Sequence, residues 1–93
     1  MTEGKLVDRT RIIDGAAIFK LMDTNGLPLD FITEILRING MGFDVIQFID
    51  AALNSKNFTF QTIKQRLMMS YIGDKEHISQ LIDGVAEKRG WLN

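Results

Sequence analysis

Ninety-three residues, 45% of them hydrophobic and 25% charged, with one proline and no cysteine, match one globular domain that removes roughly two-thirds of its surface from water on folding. The lack of cysteine excludes a disulfide framework, a thiolate zinc site and a cysteine nucleophile, and a net charge of −1 leaves no global attraction to nucleic acid or to an anionic membrane. No apolar run approaches the roughly 18 residues that span a bilayer, and the start MTEGKLVDRT lacks the apolar centre of a signal peptide, so a soluble, cytoplasmic protein is expected.

Residues 1–10 are polar and are expected to form a flexible N-terminus, leaving 11–93 as a single helical domain. From Arg11 to Met22 the segment is apolar over a wide arc, which predicts a helix largely surrounded by others. Asp23-Thr24-Asn25-Gly26 ends it. Pro28 suits the first position of a second helix over 28–38, where its missing N–H costs nothing, with Leu29, Ile32, Ile35 and Leu36 inward. Asn39-Gly40 is a stop that tolerates a left-handed backbone. Asp44 is an N-cap for a third helix reaching Asn54, carrying Val45, Phe48, Ile49 and Ala52 at helical spacing.

Thr59 caps a fourth helix with Phe60, Ile63, Leu67 and Tyr71 down one face, broken at Gly73. Asp74 opens the last helix, with Ile78, Leu81, Ile82 and Val85 inward. Lys88 and Arg89 sit at its C-terminal dipole, and Gly90 and Trp91 close it. No segment alternates with period two, so the expected class is all-α, a compact single-domain bundle of about five short helices. Phe48 and Leu81 are the expected core anchors. A word of apolar, acidic and small residues at Ile13-Asp14-Gly15-Ala16 echoes in 47–51 and again in 80–84, and convergent helix patterning accounts for it. In the turn between the second and third helices, Gly40 and Gly42 are expected to let those helices meet closely while Met41 and Phe43 fill the gap.

Three segments invite a functional comparison. Residues 23–34, DTNGLPLDFITE, resemble an EF-hand loop in length, with Asp23, Asn25 and Glu34 at positions one, three and twelve. The fifth position is Leu27 and the sixth Pro28, so the ligand set is broken and no calcium is expected. Residues 29–69 resemble the three-helix ubiquitin-associated domain in the turn Met41-Gly42-Phe43, the pair Ala52-Leu53 and the end Leu67-Met68, which implies a ubiquitin-binding surface. Residues 60–89 resemble the last two helices of a winged-helix regulator. That resemblance implies phosphate contacts from Lys64, Arg66, Lys75, Lys88 and Arg89, among which Asp74, Glu76, Asp83 and Glu87 are interleaved.

For catalysis the inventory is thin. His77 is the one histidine, no serine lies in a glycine-rich elbow, and no phosphate-cradling loop precedes a helix. The expectation is therefore a non-enzymatic regulatory or adaptor protein without cofactor, bound to a protein partner yet to be identified or to a second copy of itself. Nucleic-acid binding through 60–89 is the rival. Six phenylalanines, one tyrosine, one tryptophan and five methionines are a generous apolar supply for so short a chain. Met41, Phe43, Met68, Met69, Tyr71 and Trp91 are its candidates for a partner surface, because methionine and aromatic side chains are favoured at interfaces.

Overall fold

A computed structural model of the chain describes residues 11–71 and 74–92; the expected fraying of residues 1–10 and the break at Gly73 lie outside them. The described residues form a helical fold with two short strands. In chain order these are β1 (Arg11–Ile13), α1 (Gly15–Asp23), α2 (Leu29–Ile38), β2 (Met41–Phe43), α3 (Val45–Asn54), α4 (Phe60–Ser70) and α5 (Lys75–Arg89). β1 and β2 pair in parallel, with Arg11 opposite Met41, Ile12 opposite Gly42 and Ile13 opposite Phe43. The expected first helix is thus too long by its opening residues. Ile12 and Ile13, which widened its apolar arc, belong to a strand, and Ala16 and Ala17 on α1 face solvent. The pairing was hidden because three residues are too few to show a period of two.

The strands reveal a local repeat in a register the sequence echo did not suggest. Ile13-Asp14-Gly15 superposes in role on Phe43-Asp44-Val45, thirty residues on: a strand, an aspartate cap, a helix. Asp14 Oδ1 accepts from Ala16 N at 2.9 Å, and Asp44 Oδ1 accepts from Ile46 N at 3.0 Å and Gln47 N at 3.1 Å. Each carboxylate satisfies amides that a helix start leaves without partners. Asp44 N continues the strand ladder by donating to Ile13 O at 3.0 Å.

At the start of α1 the backbones come closest. A Cβ on Gly15 would lie 2.1 Å from Asp44 O and 2.4 Å from Phe48 N, and the Gly15 amide donates to Gln47 Oε1 at 2.9 Å. This is the close approach that the sequence assigns to Gly42. A Cβ on Gly42 would meet only Ile12 Cδ1, at 3.6 Å, an ordinary contact. Gly40 does have a conformational role: at φ 68° it turns the chain out of α2 into β2, in a region that costs a side chain about 1–2 kcal/mol.

The core lies between α1 and α3 and extends to α2, α4 and α5. Phe48, Ile49, Ala52, Ile63, Leu67, Ile82 and Ala86 are fully enclosed. Phe19, Phe43 and Phe48 meet edge to face, with ring centroids 5.9 Å (Phe19–Phe48) and 5.6 Å (Phe43–Phe48) apart, a geometry that adds about 0.5–1.5 kcal/mol per pair beyond burial. Phe43 therefore does fill a gap, although from a strand.

Two expected core residues face solvent. Leu81 is 44% exposed and Ile35 is 43% exposed. On α5 the enclosed positions are Ile78, Ile82 and Ala86, a narrow i, i+4, i+8 stripe; at 3.6 residues per turn Leu81 points about 100° from its centre at Ile82. Ile35 misses the inward stripe of α2 for the same reason. Remaining differences are at element ends: Pro28 occupies the cap position just before α2, and Tyr71 leaves α4 with extended backbone, ψ 134°.

Candidate protein-binding groove

The ribbon β1–β2 does not lie flat on α2. Between them and the end of α4 runs a groove of about 290 Å³ lined by Ile12, Leu36, Met41, Phe43 and Tyr71, with Thr33 and Arg37 at its polar side. Each wall has a local cause. Gly40 turns the chain so that Met41 and Phe43 follow α2 closely, strand pairing brings Ile12 beside Gly42, and the extended backbone at Tyr71 redirects its ring out of the α4 stripe. Thr33 is buried, and its hydroxyl lies 3.1 Å from Asp30 O and 3.2 Å from Ser70 O, tying α2 to the end of α4. The Thr33 hydroxyl is therefore committed to backbone carbonyls, and the groove offers a ligand mainly apolar surface with the Tyr71 ring and the Arg37 guanidinium at its edge. Ile12 stands 66% exposed at the rim.

The six residues nominated as a partner surface do not form one patch. Met41, Phe43 and Tyr71 meet in the groove. Met68 is half-buried against the core. Met69 is 75% exposed and lines a shallow depression with Asp30, Phe31 and Glu34. Trp91 covers the start of α4: its ring centroid is 6.1 Å from that of Phe60, and its amide donates to Ala86 O at 2.9 Å. Ile12, Phe31, Ile35 and Ile38 were missed as surface residues. The sequence reads Ile12 as part of a surrounded helix and Ile35 as inward, and only the strand pairing and the helix rotation turn these residues outward.

The five basic residues of the C-terminal pair are dispersed among acids and rings. Lys64 Nζ lies 2.7 Å from Asp83 Oδ1. The Arg66 guanidinium stacks over Phe58 at 5.6 Å, and that of Arg89 over Trp91 at 5.4 Å, 3.9 Å from Asp50 Oδ1. Lys75 and Lys88 are exposed. In the stretch likened to a ubiquitin-associated domain, Met41-Gly42-Phe43 is a strand of the ribbon where that family has a turn. Of the EF-hand-like positions, Glu34 is engaged by Arg37, whose Nε lies 3.3 Å from Glu34 Oε1. The hydrogen bonds from Arg37 hold the Glu34 carboxyl below its ordinary pKa and, reciprocally, raise that of the Arg37 guanidinium.

Taken together, these features define a small helical module with a parallel two-stranded ribbon and an apolar groove beside it. Its sequence is similar to short segments of alanine–tRNA ligases. Identity is 42% over 45 residues, 48% of this chain, with the ligases of Rhizobium johnstonii and Nitrobacter winogradskyi, and 35% over 72 residues, 73% of this chain, with that of Ralstonia nicotianae. The chain spans only 5% to 8% of the length of these curated relatives. No protein-family model matches it, and no solved structure matches it. Among the described residues no helix is long and apolar enough to cross a membrane.

Proposed function

We propose that this chain is a non-enzymatic adaptor or regulatory module that binds another protein through the groove beside the ribbon. One observation carries the reading: Met41, Phe43 and Tyr71 converge there with Ile12, which stays two-thirds exposed at the groove's rim. A volume of about 290 Å³ lies at the lower limit for small-molecule sites and suits one or two large side chains from a partner. Arg37 at the edge supplies a charge that would favour an acidic flank on that partner. The test compares wild type with Ile12→Asp and Tyr71→Ala in affinity capture with quantitative mass spectrometry, after thermal melts show that both variants are folded. A protein retained by wild type and reduced about tenfold or more by both variants supports the groove; identical captures reject it.

The likeness to segments of alanine–tRNA ligases favours a second reading, in which the chain contacts tRNA through Lys64, Arg66, Lys75, Lys88 and Arg89. The neighbours of Lys64 and Arg89 oppose it, because cations shared with carboxylates release fewer counterions on a phosphate backbone. Fluorescence anisotropy with tRNA and with duplex DNA across a salt series separates the readings. Submicromolar, steeply salt-dependent binding lost on changing the five bases to glutamine would install the nucleic-acid function.

A further inference from the structure

Two turns of the chain carry asparagine followed by glycine, and their surroundings differ. Asn39-Gly40 closes α2: the Gly40 amide donates to Arg37 O at 3.1 Å, and the Asn39 side-chain amide donates to Ile35 O at 2.8 Å. Asn54-Ser55, at the end of α3, is held in the same manner, with Ser55 N donating to Ala51 O at 3.1 Å and Asn54 Nδ2 lying 3.4 Å from Asp50 Oδ2. Asn25-Gly26, in the turn between α1 and α2, is not. Both residues are exposed, and the Gly26 amide finds no backbone acceptor among the described residues. Gly26 stands at φ 70°, and a Cβ on it would meet nothing within 4 Å. The turn is pinned only on either side, by Thr24 N to Lys20 O at 2.8 Å and by Leu27 N to Leu21 O at 3.3 Å.

We propose that Asn25 is a site of spontaneous covalent modification, at which water replaces the side-chain amide and leaves aspartate or isoaspartate. The Gly26 amide gives up its proton to base and its nitrogen attacks Asn25 Cγ. An N–Cγ bond forms, the Cγ–Nδ2 bond breaks, and ammonia leaves a five-membered cyclic imide. Water then adds to one of the two imide carbonyls. Opening the N–Cγ bond restores the main chain with an aspartate side chain, whereas opening the bond between Asn25 C and Gly26 N routes the main chain through Cγ as isoaspartate. Overall, one water is consumed and one ammonia released. The first step needs an amide proton that base can reach and room beside the nitrogen, and Gly26 has both. At Asn39 and Asn54 the same step must first break hydrogen bonds at a helix end, each of which slows it by up to about tenfold. The product changes the turn. It adds a negative charge beside Asp23, at the end of α1 where free carbonyls already concentrate negative charge. Isoaspartate also lengthens the main chain just before Leu27, whose side chain packs against the core.

Peptide mapping of the full chain by mass spectrometry tests the site, after prolonged warm incubation at mildly alkaline pH and digestion in mild acid to halt the reaction. The expected result is a gain of about one mass unit at position 25, accumulating roughly tenfold or more faster than at position 39. That gain should carry one oxygen from isotopically labelled water, and the peptide should accept methyl groups from S-adenosylmethionine in the presence of an isoaspartyl carboxyl methyltransferase. In urea sufficient to unfold the chain, both Asn-Gly pairs lose their native surroundings, so their rates should converge. Asn25→Gln changes an exposed position, and circular dichroism verifies that it folds. It should remove the early acidic form seen on ion exchange, because glutamine would have to close a larger ring. Equal rates in the folded chain, a faster gain at position 39, a rate ratio that survives in urea, or an acidic form undiminished in the glutamine variant would each overturn the proposal. No residue of the groove takes part in the reaction, so either proposal can fail alone.

Discussion

The two strand–helix units, β1–α1 and β2–α3, are held together by three kinds of bond, whereas α5 is held to the rest chiefly by one stripe of side chains. Between the units run the strand ladder, the Gly15 amide to the Gln47 side chain, and the aromatic contact of Phe19 with Phe48. α5 contributes Ile78, Ile82 and Ala86 to the core, with Lys64–Asp83 and Arg89–Asp50 as exposed or half-exposed ion pairs around it. Ion pairs of that kind are worth about 0–1 kcal/mol each. Backbone pairing fixes register as well as distance. A single apolar stripe fixes distance alone, and the helix tolerates change on every other face.

Substitutions that bear on this contrast have a clear order of effect. The largest is Phe48→Ala, which removes a fully enclosed ring touching Phe19 and Phe43 and should cost about 3–5 kcal/mol in urea unfolding; a loss under about 1 kcal/mol would deny the aromatic contact its central place. Next is Gly15→Ala. The added methyl meets Asp44 O and Phe48 N, both backbone atoms that cannot rotate away, so a loss of about 3 kcal/mol is expected. A neutral result would mean that the two units slide past one another freely.

The caps give a matched pair. Asp44 accepts from two amides and Asp74 from one, His77 N at 3.1 Å. Alanine should therefore cost about 1–2 kcal/mol at Asp44 and about 0.5–1 kcal/mol at Asp74, and equal melting shifts would remove the distinction between regions. Leu81→Ala, on the outer face of α5, should stay within about 0.5 kcal/mol of wild type. A loss as large as that of Phe48→Ala would show that this face is covered.

The smallest effect is in pH. The Arg37 hydrogen bonds keep the Glu34 carboxyl below its ordinary value of 4.5 in the folded chain. A carboxyl of lowered pKa stabilises fully above that ordinary value and loses its contribution as pH falls through it toward the folded pKa. The raised Arg37 value acts only far above neutrality, where its stability contribution is lost. Melts of dilute wild type and Glu34→Gln should differ slightly at pH 7 and converge as acid protonates Glu34 in both states. A difference that persists in acid would assign the effect to packing.

Much of the helical frame was legible in the chain because its signals are local. Asp44, Thr59 and Asp74 cap α3, α4 and α5 where the sequence places them, since a short oxygen-bearing side chain before an apolar period satisfies amides only two or three residues away. Gly40 and Gly90 stop helices for an equally local reason. What the sequence could not settle is which neighbour each face meets. Ile12 and Ile13 read as helix until Met41–Phe43 supplies a partner strand thirty residues away. Ile35 and Leu81 read as core because their apolar character is the same whether a neighbour covers them or not. Gly15 reads as an interior position of a helix over 11–22, and only the Asp44 carbonyl lying against it explains why a side chain is excluded there. The groove has the same origin: Met41 and Tyr71 could be nominated from composition, but Ile12 joins them only through strand pairing. Periodicity and capping act within one turn of chain and are written in it, whereas strand partners, close approaches and exposed faces arise between segments and exist only once the chain has packed.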